Sequence, residues 1–142
     1  MRSKLLVFVL LMISAASPLV DNSAAQSALA AVDLECTAPY PSGTVEIEVY
    51  PGATLTGYSD CTVSNPSAHT EKIEIQVTAD GLVSSAPSSF TLAAGAEKDF
   101  QVVVRADSRM TMQGRSLVVT ATVSEMSNIP PPNIADSQVN QI

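Results

Sequence analysis

A chain of 142 residues with a formal net charge of −7, 46% apolar residues and no tryptophan is bounded before any motif is considered. It is long enough for one ordinary domain and short for two, and its core must be assembled mainly from Val, Ile, Leu and Ala. The acidity argues against nucleic acid and anionic membranes as partners, because both select clustered Lys and Arg.

Arg2 and Lys4 precede an unbroken apolar run from Leu5 to Ile13. That is the n-region and h-region pattern of a secretory signal peptide. The run is about half of the roughly 20 residues a membrane-spanning helix needs, so cleavage and export are favoured over an uncleaved anchor. Two small-residue sites compete for the cut, Ser14-Ala15-Ala16 and Ala28-Leu29-Ala30. The second has the better A-x-A pattern and would leave Ala31 first. Residues 1–30 are therefore assigned to a signal peptide and processing region, and the expected location is secreted or cell-surface, the periplasm included. Removing them takes away Arg2, Lys4 and Asp21, which leaves five basic and thirteen acidic residues and a net charge of −8.

Both cysteines, Cys36 and Cys61, lie in the exported part. In an oxidising compartment an even pair in a small domain reads as a disulfide rather than as a ligand set or nucleophile. Closing a loop of about 25 residues would contribute on the order of 3.5 kcal/mol on the chain-entropy model.

From Ala31 the chain alternates. Val32, Leu34 and Cys36 face one way and Asp33, Glu35 and Thr37 the other, which predicts a half-buried first strand. Residues 38–43 hold two prolines and a glycine and predict a loop. Val45, Ile47 and Val49 alternate with Glu46 and Glu48 as a second strand. Pro51-Gly52 then fits the centre of a type II turn, proline pre-setting φ and glycine accepting the positive φ that follows. Leu55, Gly57, Ser59, Cys61 and Val63 share the inner face of the next strand, where the small residues would let a neighbour approach closely.

After a turn at Asn65-Pro66-Ser67, Ile73, Ile75 and Val77 alternate with Lys72, Glu74 and Gln76 as far as the turn signal Asp80-Gly81. Residues 82–89 are loop-like with room for one short edge strand, and Phe90 and Leu92 begin another. Phe100, Val102 and Val104 follow the Ala94-Gly95 turn. A polar connection, residues 106–114, carries Met110 and Met112, and Leu117, Val119, Ala121 and Val123 form the last inward set. About seven strands with breakers at short intervals, and no amphipathic helix, predict an all-β fold, an Ig-like antiparallel β-sandwich over residues 31–126. Residues 127–142, with three consecutive prolines, read as an extended or disordered tail. A sharper alternative is a strand donated from Ile134 to Ile142 to the sheet edge of a partner.

The turn Pro51-Gly52, the strand ending Thr62-Val63-Ser64-Asn65, Phe90-Thr91-Leu92 with its turn at Ala94-Gly95, Phe100-Gln101-Val102-Val103-Val104, and Gly114 before the last strand together resemble bacterial and archaeal Ig-like modules. These are the modules attached to α-galactosidases and the related CARDB domains. The resemblance covers roughly residues 44 to 125 and implies a non-catalytic accessory, spacer or cell-surface interaction domain.

No catalytic, cofactor or metal residue is assigned. His69 has Ser67 and Asp60 near it in sequence but no nucleophile elbow. Glu46 with Glu48 is placed on the polar face of a strand by alternation, Glu71 with Glu74 flanks a strand start, and solvated faces are expected for both. Met110, Met112 and His69 are ligand types that suit copper, and Asp80 and Asp107 are oxygen ligands that suit calcium, without a spacing that brings either set together. The expected function is a secreted, non-catalytic module that binds a protein or cell-surface partner. The alternatives are a structural subunit assembling through its C-terminal tail and a small exported copper carrier.

Overall fold

Period-two alternation gives each strand one apolar face, and two sheets can bury those faces against each other. The computed structural model describes residues 29–128 and 134–142, and in it this happens. All but Leu29 and Ala30 of the expected leader, and the Pro130–Pro132 run, lie outside the described residues.

The first sheet contains β1 (Asp33–Thr37), β2 (Thr56–Ser64), β4 (Val83–Ser85) and β6 (Glu97–Arg105), in the order β1-β2-β6-β4. The second contains β3 (Glu71–Thr78), β5 (Ser89–Leu92), β7 (Ser116–Met126) and β8 (Ile134–Gln141), in the order β5-β3-β7-β8. Every strand pairing is antiparallel. From β2 to β7 the chain alternates between layers, so β2 pairs with β6 and β3 with β7, as in an Ig-like sandwich.

The inward sets are those the alternation predicts. Val32, Leu34, Cys61, Val63, Ile73, Ile75, Leu92, Phe100, Val102, Val104, Leu117, Val119, Ala121 and Val123 are all buried in one cluster. Phe90 of β5 and Phe100 of β6 meet across the layers with ring centroids 5.4 Å apart. Between β3 and β7 the register slips at Lys72/Ile73, leaving Ser124 as the extra residue of a bulge, and its hydroxyl donates to the Lys72 carbonyl at 3.2 Å.

Cys36 and Cys61 stand directly opposite each other in the β1–β2 ladder, Cα to Cα 4.1 Å, and are bonded. The bond ties an edge strand near the chain start to the centre of its sheet. A disulfide is compatible with an extracytoplasmic location.

Two expectations change. Residues 134–142 do not hang free of the sandwich: Ile134–Gln141 pairs with β7 from Ile134↔Val123 to Gln141↔Ser116 as an eighth strand. The edge it occupies belongs to its own domain, because β7 would otherwise present an unpaired ladder. Val45–Val49, expected as a strand, forms no ladder. A single parallel bridge joins Thr44 to Gln141, and the chain then leaves both sheets.

Candidate functional site

One end of the sandwich gathers the start of β2, the end of β6, the start of β7 and the end of β8. The connections there are residues 44–55, 79–82 and 106–115. Between the first and the last lies a groove of about 770 Å³, bordered by Ile47, Val49, Tyr50, Leu82, Met110 and Met112.

Residues 44–50 form a strap along one wall. The turn Tyr50-Pro51-Gly52-Ala53 is closed by the Ala53 amide on the Tyr50 carbonyl, 3.0 Å, with Gly52 at φ +89°, as the Pro-Gly pair predicts. A hairpin does not follow, because Leu55 takes φ +56° and turns the chain away from pairing with β2. The strap instead lies across the inner face of β2. A Cβ on Gly57 would stand 2.7 Å from Val45 Cγ1 and 2.8 Å from Ile47 Cγ1, so the missing side chain is the space those two residues fill. Val45 is 1% exposed as a result.

The Val45 amide donates to the Gln141 carbonyl at 2.8 Å, and the next backbone bond along the strap is the Tyr50 carbonyl that closes the turn. Among the described residues, Glu46, Ile47, Glu48 and Val49 make no backbone hydrogen bond, although they remain extended and alternate between exposed and half-buried. Tyr50, 56% exposed, donates from its hydroxyl to Glu48 Oε2 at 3.1 Å. That bond and the Glu48 charge hold the phenol above its ordinary range. The opposite wall is anchored by Arg115. Its amide and carbonyl pair with Ile142, and its Nη1 donates to the Asp80 carbonyl at 2.6 Å. Met112 at the rim is 90% exposed.

The other sequence candidates go elsewhere. Ser67 is buried at the opposite end, donating to Asn65 Oδ1 at 2.7 Å, and its Oγ accepts the His69 amide at 3.3 Å. Asn65 Nδ2 faces the carbonyls of His69, Leu92 and Ala93 at 2.7, 3.1 and 3.1 Å. Ser67 thus organises a turn, while Asp60 sits on an outer face accepting from Gln101 Nε2 at 2.9 Å. His69 precedes β3 at this end and Met110 and Met112 follow β6 at the other, so they cannot share one ion. Asp107 Oδ1 accepts the Arg109 amide at 3.0 Å, which closes its own loop. Among the described residues no group of three His, Cys, Asp or Glu side chains converges on a metal position.

The outer face of the first sheet carries Asp33, Glu35, Asp60, Glu97 and Asp99 in adjacent register rows. Thr62 Oγ1 donates to Asp99 at 2.7 Å. This face is acidic and solvated, in keeping with the charge of the chain.

No family model and no curated protein matches the sequence. A solved structure does match in shape, that of a FixG-related protein from Vibrio parahaemolyticus, with a TM-score of 0.52 at 8% identity over 77% of this chain and 95% of that one. At that identity the likeness is one of fold alone.

Proposed function

We propose that this protein is an exported, non-catalytic Ig-like module that binds a partner protein by taking one extended segment of it alongside residues 46–49. The observation that carries the proposal is the unpaired backbone of Glu46, Ile47, Glu48 and Val49 beside an apolar groove. An extended segment with free N–H and C=O groups is what strand addition uses, main-chain bonds giving affinity and alternate side-chain pockets giving selectivity. The strap's alternation is that of a strand, and within the described residues it has no strand to pair with.

The chemistry of the occupant follows from the walls. Ile47, Val49, Leu82 and Met110 accept apolar side chains at every second position, and exposed Glu46 and Glu48 favour Lys or Arg at the positions between. Methionines at the rim adapt to differing shapes, a property found at surfaces that accept varied partners. Export is supported by the Arg2 to Ile13 pattern and by the disulfide. Membership among α-galactosidase-associated and CARDB-type modules, which are accessory or surface domains, belongs to the same proposal.

Panning a random peptide display library on the purified protein tests it. The expected result is enrichment of extended sequences that alternate apolar with basic residues, whose binding is lost in Ile47→Asp and kept in Val83→Asp, on the edge strand β4. Enrichment that survives Ile47→Asp, or no enrichment at all, would overturn it.

A further inference from the structure

A carboxylate without an exposed atom occupies the first position of β3. Glu71 is 0% exposed, its Oε1 accepts the Ala31 amide at 3.1 Å, and its Oε2 has no hydrogen-bond partner among the described residues. Among the described residues no lysine, arginine or histidine lies within ion-pair distance of it; the nearby Lys72 reaches outward to Glu125 at 3.7 Å. A buried carboxyl group held by one neutral amide is an unfavourable arrangement, because its second oxygen has lost water and gained no donor.

The donor of that one hydrogen bond is the nitrogen immediately after Ala28-Leu29-Ala30, the A-x-A pattern at which the leader can be removed. We propose that the chain is cut between Ala30 and Ala31 and that the new α-ammonium of Ala31 becomes the counter-ion of Glu71. Hydrolysis adds one water across the Ala30–Ala31 amide. Ala30 leaves with the released carboxylate, and the Ala31 nitrogen takes up protons and becomes an ammonium with three donors, enough to serve both Glu71 oxygens.

The nitrogen stays where it is after the cut because residues on its mature side hold it. Val32 and Leu34 are buried in the core, and the Leu34 amide donates to Asp136 Oδ2 at 2.9 Å. A cut after Ala16 would leave a neutral amide at the same place and the carboxylate uncompensated. The cut thereby takes Ala30 out of the buried cluster and gives Glu71 a donor for its second oxygen, which lacks one among the described residues of the uncut chain.

The test begins with the full chain produced in a bacterial host that exports it. Intact mass and N-terminal sequencing of the exported product are expected to give Ala31 as the first residue; a start at Ser17, any other start, or an uncut chain overturns the proposal. Thermal unfolding of the exported product then tests the pair. Glu71→Gln is expected to lower the midpoint by about 4 °C or more. A glycine inserted between Ala30 and Ala31, which moves the ammonium one residue away, is expected to lower it similarly and to abolish any further effect of Glu71→Gln. An unchanged midpoint on glycine insertion, or an equal effect of Glu71→Gln with and without the insertion, contradicts the pairing. If Glu71→Gln is not exported, the mass and the glycine insertion still decide.

Discussion

Val45 Cγ1 stands 2.7 Å from the point a Cβ on Gly57 would occupy. That contact decides where the strap lies, and therefore whether the groove exists. In Gly57→Ala the added methyl also meets Ile47 Cγ1 at 2.8 Å and the Glu46 carbonyl at 3.0 Å, so side-chain adjustment alone does not relieve it. Overpacking of this kind costs about 1–3 kcal/mol. The variant is expected to unfold at lower denaturant with an unchanged m-value and to lose peptide binding, measured by chemical denaturation and by titration. Wild-type stability with intact binding would contradict the packing.

Asn65 is the corresponding fixed point at the other end. Asn65→Asp keeps the acceptor for Ser67 but places a carboxylate oxygen opposite the carbonyls of His69, Leu92 and Ala93. Leaving buried acceptors unsatisfied costs about 1–3 kcal/mol, and like polarity adds to it. Asn65→Asp is therefore expected to destabilise more than Asn65→Ala when the two are compared by thermal unfolding at neutral pH.

Reduction of Cys36–Cys61 releases β1 at the sheet edge. With a sequence separation of 25 between the cysteines, the chain-entropy model assigns about 3.5 kcal/mol to the bond. Unfolding in the presence of a strong reductant should show a loss of that order. The amides of Leu34 and Glu35 should lose exchange protection first, ahead of those of β3 and β7.

The Tyr50–Glu48 pair gives a pH signature on the strap. The phenol is raised by the hydrogen bond to Glu48 and by its charge. Its contribution to the folded state is thus present below the unfolded value of about 10 and lost as pH rises through the folded value. In a Tyr40→Phe, Tyr58→Phe background, ultraviolet titration should place the Tyr50 midpoint above the ordinary tyrosine value, and Glu48→Gln should lower it. An unmoved midpoint would show that the two side chains do not meet.

Much of the sandwich was legible because its signals are local. Apolar residues at every second position gave the inner faces of β2, β3, β6 and β7, and an even pair of cysteines in a small domain gave the cross-link. Strand β8 was legible only as an alternative to a tail, and then as a strand for a partner's edge, because its half-buried positions are Asp136, Gln138 and Asn140 beside Ile134, while Val139 is 59% exposed. Hydropathy reads that alternation backwards; the strand is specified by the free edge of β7 and by Asp136 reaching the Leu34 amide, both remote in sequence. The strap was misread for the converse reason. Val45–Val49 has a strand's pattern, but φ +56° at Leu55 and the vacancy at Gly57 send it across the sheet rather than into it. Met110 and Met112 could be marked from sequence as worth attention; the wall facing them could not.

The central claim is that residues 46–49 are a strand acceptor awaiting a partner. Native-state amide exchange, resolved by residue, tests it most directly, in the protein alone and with a saturating peptide from the display selection. The account predicts that the amides of Glu46, Ile47, Glu48 and Val49 exchange freely in the unliganded protein while those of Val102 and Val119 are slow, and that the peptide slows at least two of the four by about tenfold or more. Protection of all four without peptide, or peptide-induced protection at Val83–Ser85 instead, would contradict it.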